Sequence, residues 1–170
     1  RRPLGGSSAS AVAAVHLLGL DEAGLTALLA ERDEPRYRVA QILDWLHAKR
    51  VASIDEMSNL SKPLRAWLAE RATVRTGTIT RESASDDGTR KLLITWPDGA
   101  STETVWIPDG ERNTVCVSSQ VGCPVGCRFC ASGLSGVERS LTTGEVVEQA
   151  ILVQELIGGR SRRRLARPRA

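Results

Sequence analysis

Val121-Gly122-Cys123-Pro124-Val125-Gly126-Cys127-Arg128-Phe129-Cys130 places three cysteines at a C-x3-C-x2-C spacing. Three thiolates this close can hold three irons of a 4Fe–4S cluster and leave the fourth iron without a protein ligand. An open metal position is where a substrate or cofactor binds. The spacing therefore points to a catalytic cluster rather than a closed structural one. Gly122, Pro124 and Gly126 are the small, turn-forming residues that a chain needs to wrap a cluster corner.

Two other uses of the four cysteines stay open. With Cys116 the count is even, as in a disulfide framework. Against that, the chain shows no secretory apolar segment and is large and apolar for a stapled miniprotein. Alternatively, Cys116, Cys123, Cys127 and Cys130 form a four-sulfur zinc site in a zinc-stabilised RNA-binding module. Such sites usually pair two short knuckles, and this chain has a single C-x2-C.

At 170 residues and 41% hydrophobic content, the chain has room for one medium domain, or a small domain and part of another. No apolar run approaches the roughly 20 residues needed to cross a bilayer, so no membrane association is expected. Thiols meant for a cluster imply a reducing compartment, hence the cytoplasm. The net charge of +3 is misleading. Six arginines follow Leu156 with no acids among them; without them 17 basic residues face 20 acidic ones, a balance of −3. The body of the chain is thus not a basic RNA-binding surface by composition. The arginine end, residues 158–170, reads as a solvated, disordered tail. Residues 1–15, rich in Arg and Ser at their start, read as a disordered leader.

Residues 16–74 read as a small helical domain. Asp21 is placed to cap a helix carrying Leu25, Leu28 and Leu29. After Pro35, Val39, Ile42, Leu43 and Leu46 form one apolar stripe. Ser53 with Glu56 fits a capping box, and Ser61 can cap a further helix with Leu64, Trp67 and Leu68 inward. From Arg75 the period changes to two. Leu92, Ile94 and Trp96 share one face; Glu103, Val105 and Ile107 share a face of a later run, opposite Thr104 and Trp106. Asp87-Gly88, Asp98-Gly99 and Asp109-Gly110 are hairpin cues between alternating runs. These features predict a β-meander over 75–110, then a strand near 113–118 leading to the cysteine loop. Thr142 with Glu145 fits a capping box for a helix carrying Val146, Val147, Ala150, Ile151 and Ile157.

Several stretches together resemble one family. They are Cys116-Val-Ser-Ser-Gln-Val-Gly-Cys123 through Cys130-Ala-Ser-Gly, Asp86-Asp-Gly-Thr-Arg-Lys91, Glu103-Thr-Val-Trp-Ile-Pro108, Leu141-Thr-Thr-Gly-Glu145 and Met57-Ser-Asn-Leu-Ser-Lys62. They resemble the radical S-adenosylmethionine (SAM) enzymes that methylate adenine in RNA, the RlmN/Cfr family, over approximately residues 16–157. The resemblance implies an α/β protein: a small N-terminal helical domain that helps grip RNA, a β-meander, and over 111–157 the first βα unit of a partial radical SAM barrel. It implies a 4Fe–4S cluster on Cys123, Cys127 and Cys130 with SAM on the open iron, and Phe129 near the SAM adenine. It also implies C2 methylation of adenine in 23S rRNA and possibly tRNA, with a C8-methylating Cfr-like enzyme as the near alternative. A flavodoxin or ferredoxin would donate electrons, and the full-length protein would be monomeric.

Two further roles come from the same resemblance. Glu103 matches the base that takes the proton from adenine C2; as a carboxylate among apolar neighbours it is expected to hold protons more tightly than usual. Cys116 matches the cysteine that resolves a covalent enzyme–RNA intermediate by forming a disulfide. Read from its residues alone, Cys116 alternates with Val115 and Val117 and is equally a small buried hydrophobe. The family's methyl-carrying cysteine and its SAM-contacting Gly-Glu motif have no counterpart here. The chain is therefore expected to be an N-terminal fragment, inactive on its own.

Overall fold

The computed structural model describes residues 14–125, 128 and 136–165. The described part begins with a two-residue strand, β1 (Val15–His16), so residue 15, the last of the expected leader, is already paired. Helix α1 (Glu22–Ala30) starts where the Asp21 carboxylate accepts the Gly24 N–H at 2.8 Å. Helix α2 (Tyr37–Leu43) runs into a wide π-type turn over Asp44–Ala48, which carries Leu46 into the same core as Val39 and Ile42. Ser53 and Glu56 form the expected box: the Ser53 Oγ accepts the Asp55 N–H at 3.0 Å and Glu56 Oε1 accepts the Ser53 N–H at 2.9 Å. Helix α3 (Lys62–Arg71) is capped by Ser61, whose Oγ accepts the Leu64 N–H at 3.3 Å. Strand β2 (Ala72–Thr73) then pairs in parallel with β1 and closes the bundle. Leu17, Leu25, Leu29, Ile42, Leu46, Met57, Leu64 and Leu68 are fully buried inside it.

The meander follows as β3 (Thr78–Ala84), β4 (Arg90–Thr95), β5 (Ser101–Asp109) and β6 (Arg112–Cys116), all antiparallel neighbours. Gly88, Gly99 and Gly110 have φ of +88°, +85° and +57°, the left-handed turn positions that the three Asp-Gly pairs announce. Leu92, Ile94, Trp96, Thr104 and Trp106 form the buried face. Trp96 Nε1 donates to Thr102 Oγ1 at 3.0 Å, and Trp106 Nε1 donates to Asn113 Oδ1 at 2.9 Å, so both indoles are satisfied. The sheet extends to Cys116, past the expected limit at 110. The strand expected to open a barrel is instead the fourth strand of the meander.

A short strand β7 (Gln120–Gly122) leads into the cysteine loop, and β8 (Val137–Ser140) leads out, pairing antiparallel with β7. Helix α4 (Thr143–Leu165) follows. The expected helix forms; residues 126–127 and 129–135 of the cysteine loop lie outside the described residues, and a hairpin neck joins the loop's two ends. Among the described residues, parallel pairing is confined to β1 and β2. Helix α4 sits between the two cores. Val147 and Ile151 join the helical bundle, while Leu152, Val153, Leu156 and Ile157 cover the buried face of the sheet. The α/β architecture is thus a helical domain and a β-meander joined by one long helix. Its backbone stays helical through Gly158 and Gly159 to Leu165, into the expected tail, because arginine is a good helix former. Residues 1–13 and 166–170 lie outside the described residues.

Candidate functional site

The cysteine loop is pinched at its neck. Cys123 N–H donates to the Gly136 carbonyl at 3.0 Å, across the start of the β7–β8 hairpin. Gly122 has φ +79°, and a Cβ there would collide with the Gly136 carbonyl oxygen. Glycine is therefore required on two counts, conformation and space. Cys123 is half-buried with a free thiol. Cys127, Phe129 and Cys130 lie outside the described residues. Three thiols within eight residues, one of them held free at a closed loop neck, are a donor set that fits an iron–sulfur cluster.

An open groove of about 450 Å³ runs from this neck along the outer face of the sheet. Glu103, Val105, Cys116, Ser118, Gln120 and Cys123 line it. Register explains the convergence. Val105 lies opposite Cys116 across β5–β6 and opposite Lys91 across β4–β5, so all three share one face with Glu103. Cys116 is exposed and its thiol is free, which excludes the role of buried hydrophobe; Val115, its neighbour, takes the inward position. No disulfide joins Cys116 to Cys123.

Glu103 departs from expectation. Its side chain is 49% exposed and meets Lys91 Nζ at 2.9 Å. The expected apolar surroundings are not there, because the covered face of β5 is the one carrying Thr102, Thr104 and Trp106. What the groove offers is an accessible carboxylate, ion-paired to Lys91 beside it, and two thiols. Ser118 Oγ donates to the Glu103 carbonyl at 2.7 Å and ties the groove floor to β5.

Sequence reading missed the polar side of α4 that holds this arrangement. The Thr142–Glu145 box forms as expected: Thr142 N–H donates to Glu145 Oε2 at 2.7 Å and Glu145 N–H donates to Thr142 Oγ1 at 3.3 Å. Glu145 also receives both terminal nitrogens of Arg139, at 2.9 and 2.8 Å, while Arg139 Nε donates to Asp98 at 2.5 Å. One arginine thereby joins β8, the β4–β5 turn and α4. Further along, the fully buried Glu148 accepts the N–H groups of Thr76 and Gly77, and fully buried Gln149 binds Ser118 and Thr104. Polar residues at 148 and 149, beside the apolar stripe of Val147 and Ile151, were the available signal.

The Arg139 cluster has a pH signature. Hydrogen bonds to Glu145 and Asp98 raise the guanidinium further above its ordinary value. For Asp98, the Arg139 hydrogen bond holds the carboxyl below its usual range. For Glu145, burial pushes up, but Arg139 and Thr142 together outweigh it, and the net shift is down. Carboxyls lowered on folding stabilise the protein above their unfolded values, about 4, and that contribution disappears as pH falls through the folded values. The Arg139→Met variant is expected to have a lower urea midpoint than wild type at pH 7, with the gap narrowing below about pH 4. A gap unchanged at pH 3 would contradict this ion cluster.

Comparison with known proteins follows the same division. Residues 15–74 match the ribosomal RNA large subunit methyltransferase N-terminal domain family, which coincides with the helical bundle and its β1–β2 closure. A radical SAM methyltransferase from Sphaerobacter thermophilus, known from its crystal structure, superposes with a TM-score of 0.77 at 42% identity, over 90% of this chain and 44% of that one. The fold therefore matches the corresponding 44% of a radical SAM methyltransferase.

The dual-specificity RNA methyltransferase RlmN of Alkalilimnicola ehrlichii is 43% identical over 145 residues, 85% of this chain and 40% of the relative. RlmN of Saccharophagus degradans is 45% identical over 142 residues, 84% of this chain and 36% of the relative. The chain belongs to the RlmN family of RNA methyltransferases and spans about two fifths of the length of these curated relatives.

Proposed function

We propose that this chain supplies the helical domain, the outer sheet face and the cluster loop of a radical SAM methyltransferase acting on C2 of adenine in 23S rRNA and tRNA. The observation that carries this reading is the single groove that unites Glu103, Cys116 and Cys123. Cys123, Cys127 and Cys130 would hold a 4Fe–4S cluster, which when bound with SAM supplies the radical that activates a methyl group.

The other roles belong to side chains of the groove and to Lys91 beside it. Glu103, with its carboxylate exposed to the groove, accepts the proton leaving adenine C2. Lys91 at 2.9 Å neutralises that carboxylate before the substrate arrives and offers a donor to the base. Cys116, exposed and free of a disulfide, attacks the sulfur of the covalent enzyme–RNA link as a thiolate. Its disulfide with the methyl-carrying cysteine forms as the S–C bond breaks, the electron pair passes to the carbon on the adenine ring, and that carbon takes up a proton to become the methyl group. The helical domain holds RNA; a flavodoxin or ferredoxin in the cytoplasm provides electrons. Among the described residues, no helix is long and apolar enough to cross a membrane.

Two variants test the division of labour among the thiols. After anaerobic reconstitution with iron and sulfide, Cys123→Ala is expected to lose nearly all cluster iron and Cys116→Ala to keep it. If Cys116→Ala instead abolishes metal binding, and that metal is zinc, all four cysteines form one structural site and the RNA-binding module replaces the enzyme. Methylation at C8 rather than C2 by a relative carrying this segment would move the assignment to the Cfr-like branch.

A further inference from the structure

We infer that Gln149 is a positioning residue: its carboxamide sets the placement of Cys116, Ser118 and Cys123 along the groove. The inference deepens the proposed function and rests on the groove being the reaction site. Gln149 lies on α4 and is fully buried. Its Oε1 accepts the Ser118 N–H at 2.8 Å, and its Nε2 donates to the Ser118 carbonyl at 2.9 Å. These are the two bonds that a neighbouring strand would make to one residue. Ser118 itself belongs to neither β6 nor β7, so no strand makes them. A side chain from a helix stands in for the missing strand.

The remaining capacity of the carboxamide is used as well. Thr104 Oγ1 donates to Oε1 at 2.7 Å, and Nε2 donates to the Glu145 carbonyl one turn back at 3.2 Å. Two donors and two acceptor sites are thus all engaged, and Ser118, which both donates and accepts, fixes which end is oxygen. A satisfied buried network of this kind has one arrangement, because any slip orphans a polar group in a low-dielectric setting. Ser118 is two residues beyond Cys116 and five before Cys123, and its Oγ reaches the Glu103 carbonyl. Gln149 therefore acts through Ser118 on three groove residues without lining the groove itself.

The test uses the 170-residue chain and its Gln149→Met and Gln149→Glu variants. Methionine keeps the volume and removes the polar contacts; glutamate keeps an acceptor for Thr104 and the Ser118 N–H. Two readouts are followed without iron: hydrogen exchange of the Ser118 amide, and the rate of Cys123 alkylation by iodoacetamide relative to Cys116. In wild type the Ser118 amide is expected to exchange at least roughly tenfold slower than in an unstructured chain, the effect of one net hydrogen bond. Gln149→Met should remove that protection and raise the Cys123 to Cys116 ratio severalfold, with Gln149→Glu between the two.

A purely structural role would lower the melting temperature of both variants and leave the ratio at its wild-type value, and that result would overturn the inference. If neither variant folds, the wild-type Ser118 amide decides alone, and exchange at the unprotected rate would overturn it. Because both readouts are free of iron, a failed cluster reconstitution would count against the proposed function and not against Gln149.

Discussion

Glu148→Ala is expected to destabilise the protein by about 3–5 kcal/mol, because several buried donors lose their shared acceptor at once. Glu148 is fully buried on α4. Its carboxylate accepts the Thr76 N–H at 3.0 and 3.1 Å, the Thr76 hydroxyl at 3.0 Å and the Gly77 N–H at 3.1 Å, with His16 Nε2 at 3.4 Å. Residues 76–77 are the link between the helical bundle and the first strand of the sheet. Alanine leaves these donors without partners, at about 1–3 kcal/mol for each orphaned group that water cannot reach. Since a whole domain is stable by only about 5–15 kcal/mol, much of the margin would go. Urea unfolding measures the change, and Glu148→Gln, which keeps one acceptor oxygen, should recover part of it. A loss under about 1 kcal/mol, the worth of a single ordinary hydrogen bond, would contradict this account of the linker.

The second large effect is at the loop neck. Gly122→Ala is expected to remove cluster binding, whereas Gly99→Ala leaves it intact. Both glycines have positive φ, +79° and +85°, so each alanine carries a conformational penalty of about 1–2 kcal/mol. The difference is space. A Cβ at Gly99 meets nothing within 4 Å, while one at Gly122 meets the Gly136 carbonyl that accepts the Cys123 N–H. Relief of that collision must open the neck and move Cys123. Iron content after reconstitution separates the two variants. Equal retention of iron in both would show that the neck does not position the loop.

Much of this architecture was legible in the sequence because it is written in local chemistry. Asp21, Ser53, Ser61 and Thr142 cap as their side-chain oxygens dictate, and the three Asp-Gly pairs turn where left-handed backbone is needed. Alternation assigned Leu92, Ile94 and Trp96 to one face correctly. It could not say which face of β5 would be covered, because that depends on where α4 packs. Hence Glu103 was expected among apolar neighbours and is found beside Lys91 and solvent.

The other misses share that cause. Asp109-Gly110 reads equally well as the end of a meander or as one more hairpin, and only the pairing of Val105 with Cys116 decides for the hairpin. Polar residues inside a helix are read as solvent-facing, yet Glu148 and Gln149 point into the protein, to backbone groups more than 30 residues away in sequence. Long-range partners of this kind leave no periodic trace.

The central claim is that this groove ends at an iron–sulfur site open to SAM. The most direct measurement is metal analysis with electron paramagnetic resonance after anaerobic reconstitution with iron and sulfide, with and without SAM. The account predicts a reduced 4Fe–4S signal that shifts when SAM is added and is absent in Cys123→Ala. Stoichiometric zinc with no iron–sulfur signal would contradict it.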